Sequence, residues 1–276
     1  MPQDLHCGRF DLNLKRPLIM GIINLTDDSF SGDGLRGDTE RAIAQGLRLV
    51  QEGADILDLG AESSRPGALP IDAQQELARL LPVLEGLHDC GVPLSVDTLK
   101  PEVMRAVLAA GADMINDIAA LRTPGALEAV AESQAAVCLM HMQGEPRSMQ
   151  HAPRYDNVVA EVRAYLSARV QAAQSAGIPA ERIVLDPGFG FGKTLAHNLA
   201  LLRQLVELRV QNLPLLVGLS RKSMLGLLTG RPAGERLSAG IAAGLMALQR
   251  GARIVRVHDV AAWRDALAVW NAVEEI

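Results

Sequence analysis

PLIMGIIN, at residues 17–24, is a short, continuously apolar run that ends in a polar side chain, Asn24. Its residues do not alternate between apolar and polar, so a strand built from them is buried on both faces. Strands of this kind are typical of parallel sheets that helices cover on the outside. The run therefore predicts the first strand of a parallel sheet.

Seven further runs of the same kind follow along the chain. They are rich in Ile, Leu and Val, and each is short enough to be a strand. They are ADILDLG (54–60), PLSVDT (93–98), DMINDI (113–118), AAVCLMHM (135–142), RIVLDPG (182–188), PLLVGLS (214–220) and RIVRVHD (253–259).

Helical patterns separate most of these runs, with apolar residues at spacings of three and four. Gly53 and Gly111 stand where helix ends are expected. The clearest patterns are TERAIAQGLRLVQEG (39–53), AQQELARLLPVLEGL (73–87), PEVMRAVLAAG (101–111), VVAEVRAYLSARVQAA (158–173) and VAAWRDALAVWNAVEE (260–275).

Eight strands alternating with helices predict an α/β fold, a single (β/α)8 TIM barrel with residues 1–276 as one domain. A doubly wound open sheet is the alternative. That fold usually has fewer strands and a glycine fingerprint after the first strand, which GIINLTDD (21–28) lacks. The alternating segment GRFDLNL (8–14) predicts a short N-terminal hairpin that plugs the bottom of the barrel.

The composition excludes several classes of protein. Hydrophobic residues make up 49% of the 276 residues, which excludes a disordered chain. The 27 basic and 32 acidic side chains give a net charge of -5, which argues against nucleic-acid or anionic-membrane partners. The three cysteines are too far apart for a disulfide framework, and no apolar segment resembles a signal peptide or a membrane span. We therefore expect a soluble cytoplasmic protein.

Polar residues stand at or just after the carboxyl end of every predicted strand, and in a (β/α)8 barrel the carboxyl ends of the strands form the active-site face. Asp97, Thr98 and Asp117 also suit helix caps, so that alternative stays open. The strand-end residues are Asn24, Glu62-Ser63-Ser64-Arg65, Asp97, Asn116-Asp117, His141, Asp186, Ser220-Arg221-Lys222-Ser223, Arg256 and His258.

The charges of these residues indicate two kinds of ligand group. The cations Arg65, Arg221, Lys222, Arg256 and His258 would converge on one mouth and suit a phosphate or diphosphate. A second set, Asp97, Asn116 and Asp186, suits a flat heterocycle with both donors and acceptors. His141 and the methionines Met140, Met142 and Met149 are interpreted as packing and hydrogen-bonding residues.

Together these strand-end motifs resemble the dihydropteroate synthase family, the folate-pathway enzymes that sulfonamides inhibit. They occur in the family's order and cover nearly the whole chain. The matching strings are MGIINLTDDSFS (20–31), GADILDLGAESSRPGA (53–68), SVDTLKPEV (95–103), GADMINDI (111–118), MHMQGEPRSMQ (140–150), LDPGFGFGKTLAHNL (185–199), GLSRKS (218–223) and RVHDV (256–260).

The resemblance implies a reaction that joins 4-aminobenzoate to 6-hydroxymethyl-7,8-dihydropterin diphosphate, with Mg²⁺ as cofactor, in a homodimer. It implies that Asp97, Asn116, Asp186, Lys222, Met140 and Gly218 hold the pterin, and that Asn24, Ser64, Arg65, Arg256 and His258 hold the diphosphate. Asn24 is the implied Mg²⁺ ligand, and Pro66, Phe191, Lys222 and Ser223 would hold aminobenzoate.

A dissociative substitution fits these implied roles. Mg²⁺, Arg256 and His258 would stabilise the departing diphosphate. Asp97 and Asp186 would then favour the pterin methylene cation until the arylamine attacks. Lys222 completes the expected catalytic set, and no enzyme nucleophile is required.

The chain departs from the family pattern in its first two loops. TDDSFSGDG (26–34) has Asp27 where the family has proline and inverts the family's Asp-Gly order at 32–33, so Asp27, Asp28 and Asp33 all stay candidates for the loop's acidic role. Ser64 replaces a threonine. Two other functions stay open: a pterin-dependent methyltransferase domain, against which SRKS and ESSRPG argue, and a catalytically silent pterin-binding paralogue.

Overall fold

Eight parallel strands close into a barrel in the computed structural model, which describes residues 4–26, 38–63, 70–145 and 148–274. Two antiparallel strands, β1 (Asp4–Cys7) and β2 (Phe10–Asn13), precede it as a separate hairpin. The barrel strands are β3 (Leu18–Asn24), β4 (Ile56–Gly60), β5 (Leu94–Asp97), β6 (Met114–Asp117), β7 (Ala136–Met140), β8 (Ile183–Asp186), β9 (Leu215–Val217) and β10 (Ala252–Val257).

The barrel closes where β10 pairs in parallel with β3, with Ile254 opposite Leu18 and Val257 opposite Gly21. The other neighbours pair in chain order, and all the pairs are parallel. Each strand falls within a predicted apolar run, apart from β10, which begins one residue early. The barrel prediction is therefore confirmed, and the doubly wound alternative is wrong.

Helices surround the strands, and several begin and end where the sequence indicates. Asp38 accepts a hydrogen bond from the Arg41 amide at the start of the first helix, and Gly53 ends that helix with a φ of 105°. The helices are α1 (Thr39–Glu52), α2 (Ala73–Leu87), α3 (Pro101–Ala109), α4 (Ala126–Ala131), α5 (Val158–Ser175), α6 (Leu195–Arg203), α7 (Ser223–Thr229), α8 (Leu237–Gln249) and α9 (Val260–Glu274).

The N-terminal hairpin closes the amino-terminal end of the barrel. Leu5 and Cys7 pack in one buried cluster with inward residues near the start of the barrel strands, among them Met20 and Ile56. The plug prediction is thus confirmed, but its bounds were too short, because β1 begins at Asp4 and the chain turns at residues 8–9. Four residues of strand are too few for their alternation to stand out in the sequence.

The interior changes from apolar to polar along the barrel axis. Ile56, Met114, Val184 and Ile254 belong to the apolar cluster against the hairpin. Because side chains two residues apart on a strand share a face, the next inward positions toward the carboxyl ends are Asp58, Asn116, Asp186 and Arg256. A polar floor therefore lies above an apolar plug.

Within the described parts of the chain, none of the helices has the length and hydropathy needed to cross a membrane.

Candidate active site

The mouth of the barrel is built around Arg256, which reaches from β10 to two aspartates on neighbouring strands. Its Nε donates to Asp58 Oδ2 at 2.6 Å, and its Nη2 donates to Asp97 Oδ2 at 3.1 Å. Asp58 is fully buried, whereas the Asp97 side chain is 19% exposed. The guanidinium thus ties β4, β5 and β10 together at the floor of the mouth.

Asp58 also binds two polar residues on the adjacent strands. Its Oδ1 accepts from Ser95 Oγ at 2.6 Å, and its Oδ2 accepts from Asn116 Nδ2 at 3.2 Å. The sequence interpretation missed Asp58, although it carried a signal. The residue is a charged side chain inside an apolar strand, with the same inward parity as Ile56.

Burial sets the charge states of this network. Burial raises the pKa of Asp97 to about 7, although Arg256 works to lower it. Burial works to lower the pKa of Arg256, but the negative charges of Asp58 and Asp97 outweigh it and raise that pKa. Arg256 therefore stays a cation, and Asp97 changes charge near neutral pH.

A second group of polar side chains lies where β8 ends. Asp186 accepts from the Gly188 amide at 2.7 Å. Burial raises the pKa of Asp186, although that hydrogen bond and the charges of Lys222 and Lys193 work to lower it. The Lys222 ammonium sits 4.2 Å from the centre of the Phe191 ring, within the range of a cation–π interaction. The predicted aminobenzoate residues Phe191 and Lys222 are thus in contact.

Met140 and Gly218 occupy inward positions at the ends of β7 and β9. Met140 packs in a small cluster with Ile118, Met142 and Met149, with Phe191 against it, as the packing interpretation predicted. A Cβ placed on Gly218 would meet no described atom within 4 Å. Among the described residues, the position beside that strand end is therefore open to one further atom at least.

His258 and Arg221 are each held by a polar neighbour. Ser220 Oγ lies 2.9 Å from His258 Nδ1 and accepts from the His258 amide at 3.4 Å. Arg221 donates to Asp259 at 2.9 Å, so one of the five predicted mouth cations makes a salt bridge at the rim. Ser223 is exposed at the first residue of α7.

Asn24 is half-buried at the end of β3, opposite Gly60 of β4, which is in turn opposite Asp97 of β5. These registers place Asn24 on the same rim as Asp97. The predicted residues Ser64, Arg65 and Pro66 lie outside the described residues, as do the first-loop acids Asp27, Asp28 and Asp33.

The helix-cap alternative is wrong for Asp117 and Thr98, because the N-cap residues of α3 and α4 are Lys100 and Gly125, and neither helix has a side-chain cap. Asp117 accepts from the amides of Ala119 and Leu121 at 2.7 Å each, and Thr98 Oγ1 accepts from the Lys100 amide. These side chains order the turns after β6 and β5. Asp97, by contrast, binds Arg256.

Lys193 was also missed by the sequence interpretation. It is 3% exposed and donates to His141 Nδ1 at 2.9 Å and to the carbonyls of Gly188 and Phe191 at 2.8 and 2.9 Å. Burial lowers the pKa of Lys193 to about 7 and that of His141 to about 3. His141 is therefore a neutral acceptor in the packing role predicted for it, and Lys193 orders the loop after β8.

Comparison with known proteins places these features in a family. Residues 20–258 match the model of the family described as pterin binding enzymes. The dihydropteroate synthase of Neisseria meningitidis serogroup B is 50% identical over 273 residues, which cover 96% of each chain.

Solved structures of dihydropteroate synthases have the same fold as this chain. Burkholderia cenocepacia dihydropteroate synthase in complex with 7,8-dihydropteroate superposes with a TM-score of 0.91 at 51% identity, covering 99% of this chain and 97% of that one. The Xanthomonas albilineans enzyme with 4-aminobenzoic acid gives 0.92 at 52% identity, covering all of both chains.

Proposed function

The chain belongs to the dihydropteroate synthase family of pterin-binding enzymes, and we propose that it carries out that family's reaction. It condenses 4-aminobenzoate with 6-hydroxymethyl-7,8-dihydropterin diphosphate, releasing diphosphate and forming 7,8-dihydropteroate. The observation that carries the proposal is the buried network of Asp58, Asp97, Asn116 and Arg256 at the carboxyl ends of the strands. That end is the active-site face of this fold.

The pterin ring binds on the polar floor. Asp97 and Asp186 offer carboxylate acceptors to ring N–H groups, and Asn116 offers an amide with both a donor and an acceptor. Met140 and the open space beside Gly218 accommodate the apolar faces of the ring.

The diphosphate lies against Arg256 and His258. The guanidinium has five N–H donors, of which the bonds to Asp58 and Asp97 use two. Ser220 Oγ lies 2.9 Å from His258 Nδ1, and this contact orients the imidazole ring. Both residues therefore stabilise the negative charge that develops as the diphosphate leaves.

Asn24 fits the expected Mg²⁺ ligand. Its side-chain oxygen is a hard donor on the rim, and Mg²⁺ is usually held by one or two protein oxygens together with substrate phosphates. The described residues contain no cluster of three or more histidine, cysteine or acidic side chains that could hold a metal ion. When bound there, Mg²⁺ neutralises charge on the diphosphate.

The substitution is dissociative in this proposal. Loss of diphosphate breaks the bond to the pterin methylene, and the cation left behind is delocalised into the ring. The carboxylates of Asp97 and Asp186 favour that cation. Aminobenzoate lies against Phe191 and Lys222 with its carboxylate toward Ser223, and its amine attacks the methylene and then loses a proton.

The direct test supplies purified protein with pterin diphosphate, Mg²⁺ and radiolabelled aminobenzoate. We expect labelled dihydropteroate, and a sulfonamide should compete with aminobenzoate. Tight pterin binding without labelled product would contradict the proposal in favour of the silent paralogue. Methyl transfer from a methylated folate to a corrinoid protein would contradict it in favour of the methyltransferase.

We also propose a homodimer, a single domain and a cytoplasmic location. Exposed aliphatic side chains on α7 and α8 support a surface for a second copy: Leu227 is 69% exposed and Met246 is 48% exposed. Sedimentation analysis of the Leu227→Asp variant against wild type tests this surface. A monomeric wild type would contradict the dimer.

A further inference from the structure

The buried carboxylate Asp58 does more than balance the charge of Arg256. Resting on the proposed function, we propose that Asp58 is a positioning residue that fixes the Asn116 amide and the Arg256 guanidinium in the orientations that the pterin ring meets. It acts through those two side chains and lies beneath the ring.

The contacts of Asp58 support this role because they join four strands of the barrel. Asp58 on β4 accepts from Ser95 on β5, Asn116 on β6 and Arg256 on β10. The carboxylate is fully buried, and both of its oxygens are used. A fully bonded carboxylate in the interior holds its partners in one arrangement.

The chemistry of Asp58 determines which way the Asn116 amide faces. Both Asp58 oxygens accept, Oδ1 from Ser95 and Oδ2 from Arg256 and Asn116, so the amide nitrogen of Asn116 is the atom that faces this carboxylate. One Nδ2 hydrogen is used in this way, and the second Nδ2 hydrogen and Oδ1 remain for a ligand. A reversed amide would exchange the donor and acceptor that the heterocycle meets.

Asp58 also fixes the plane of the Arg256 guanidinium. Arg256 Nε donates to Asp58, and Nη2 donates to Asp97, so the planar group is held at two points. With Asp97 alone, the guanidinium could rotate about one contact. The two points therefore determine where its other N–H groups are directed.

The experiment compares Asp58→Asn with a matched control, Asp113→Asn. Asp113 is 1% exposed, and it accepts from an arginine, Arg9, and from the Leu94 amide near the opposite end of the barrel. Both substitutions replace a buried, arginine-bound carboxylate with its amide isostere. Only the first removes the fixed acceptor beneath the proposed pterin site.

Three quantities are measured for each protein: the melting temperature, the Kd of 6-hydroxymethylpterin by calorimetry, and the KM of each substrate. In Asp58→Asn we expect the pterin Kd and the KM for pterin diphosphate to rise about 10- to 100-fold, because the Asn116 amide and the Arg256 guanidinium are no longer held in the orientations that the ring meets. The KM for aminobenzoate should stay within about twofold. Asp113→Asn should melt earlier with unchanged Kd and KM.

A merely structural role gives a different result. In that case Asp58→Asn would melt earlier, like the control, but would bind 6-hydroxymethylpterin as wild type does below its melting temperature, which would overturn the inference. If wild type itself binds no pterin, the proposed function fails instead.

A second variant keeps the test decisive if Asp58→Asn does not fold. Ser95→Ala removes the hydroxyl that holds Asp58 Oδ1 and leaves the charge in place. We expect it to weaken pterin binding about threefold with no change in the KM for aminobenzoate. Unchanged pterin affinity in this variant would also overturn the inference.

Discussion

The two ends of the barrel each bury an aspartate against an arginine, but in different settings. At the amino-terminal end, Arg9 of the hairpin turn donates to Asp113 through Nε and Nη2 at 3.0 and 2.9 Å. The same carboxylate accepts from the Leu94 amide, and the apolar hairpin covers the end of the barrel. This ion pair links the hairpin to the barrel, so we assign it a structural role.

At the mouth, one arginine is shared between two aspartates. Burial raises the pKa of Asp97 to about 7 despite the contact with Arg256, so the ionised form is held at a cost in stability. Perturbed groups of this kind cluster at functional sites. We infer that similar ion pairs stabilise the fold at one end of this barrel and prepare the proposed binding site at the other.

The largest effect is expected for Arg256→Ala, which removes the centre of the mouth network. The diphosphate loses a charged donor, and two carboxylates lose their shared partner. We expect kcat/KM to fall about 10²- to 10³-fold, as when a group that stabilises developing charge is removed. Steady-state kinetics measure this, with a melting curve to confirm folding, and near wild-type turnover would refute the role assigned to Arg256.

A smaller loss of activity, with a gain in stability, is expected for Asp97→Asn. The pterin loses a carboxylate acceptor, so kcat/KM should fall about 10- to 100-fold. The pKa of Asp97 is about 7 in the folded protein against its ordinary 3.8, so the folded state binds this proton more tightly.

The effect of Asp97 on stability depends on pH with a definite sign. The stabilising contribution of the Asp97 carboxyl group to the free energy of unfolding is fully present below about pH 4 and is lost as pH rises through about 7. Asp97→Asn has no such titration, so its melting temperature should exceed that of wild type by a few degrees at pH 8 and not at pH 4. Melting curves at both pH values check this, and an equal difference at both would contradict it.

The next effect is on stability alone and concerns the amino-terminal end. Arg9→Ala leaves the buried Asp113 without its charged partner, which should cost about 1–3 kcal/mol and lower the melting temperature by several degrees. kcat/KM at 25 °C should match wild type. A loss of turnover in folded Arg9→Ala protein would break the distinction between the two ends.

The smallest effect is expected for Ser220→Ala at the rim. Without the hydroxyl, His258 loses the contact at Nδ1 that orients its imidazole ring. A neutral hydrogen bond is worth about 1 kcal/mol, so kcat/KM should fall about fivefold. Ser220→Thr keeps a hydroxyl and should retain activity, whereas equal kinetics of both variants would leave His258 without the proposed orienting contact.

The barrel was predictable because each strand is a continuous apolar run. Most residues of the candidate site were predictable because polar side chains stand at the carboxyl ends of those runs. Asp97, Arg256 and Asp186 were found in this way. Asp58 was missed because it precedes the end of its strand, where only inward parity and pairing in space reveal its partners.

Lys193 was missed for a related reason. Its partners are His141 and backbone carbonyls of the loop after β8, and carbonyl positions follow from the folded backbone rather than from residue types. The short first strand of the hairpin was missed because four residues give too little alternation. The partners that a side chain has across the barrel are therefore evident only from the folded structure.

The most direct test measures kcat/KM and melting temperature in parallel for Asp113→Asn and Asp97→Asn at pH 8. We expect opposite outcomes: Asp113→Asn melts earlier and keeps wild-type turnover at 25 °C, whereas Asp97→Asn melts later and loses turnover about 10- to 100-fold. Loss of turnover in folded Asp113→Asn, or turnover within twofold of wild type in Asp97→Asn, would contradict the division between a structural end and a binding end.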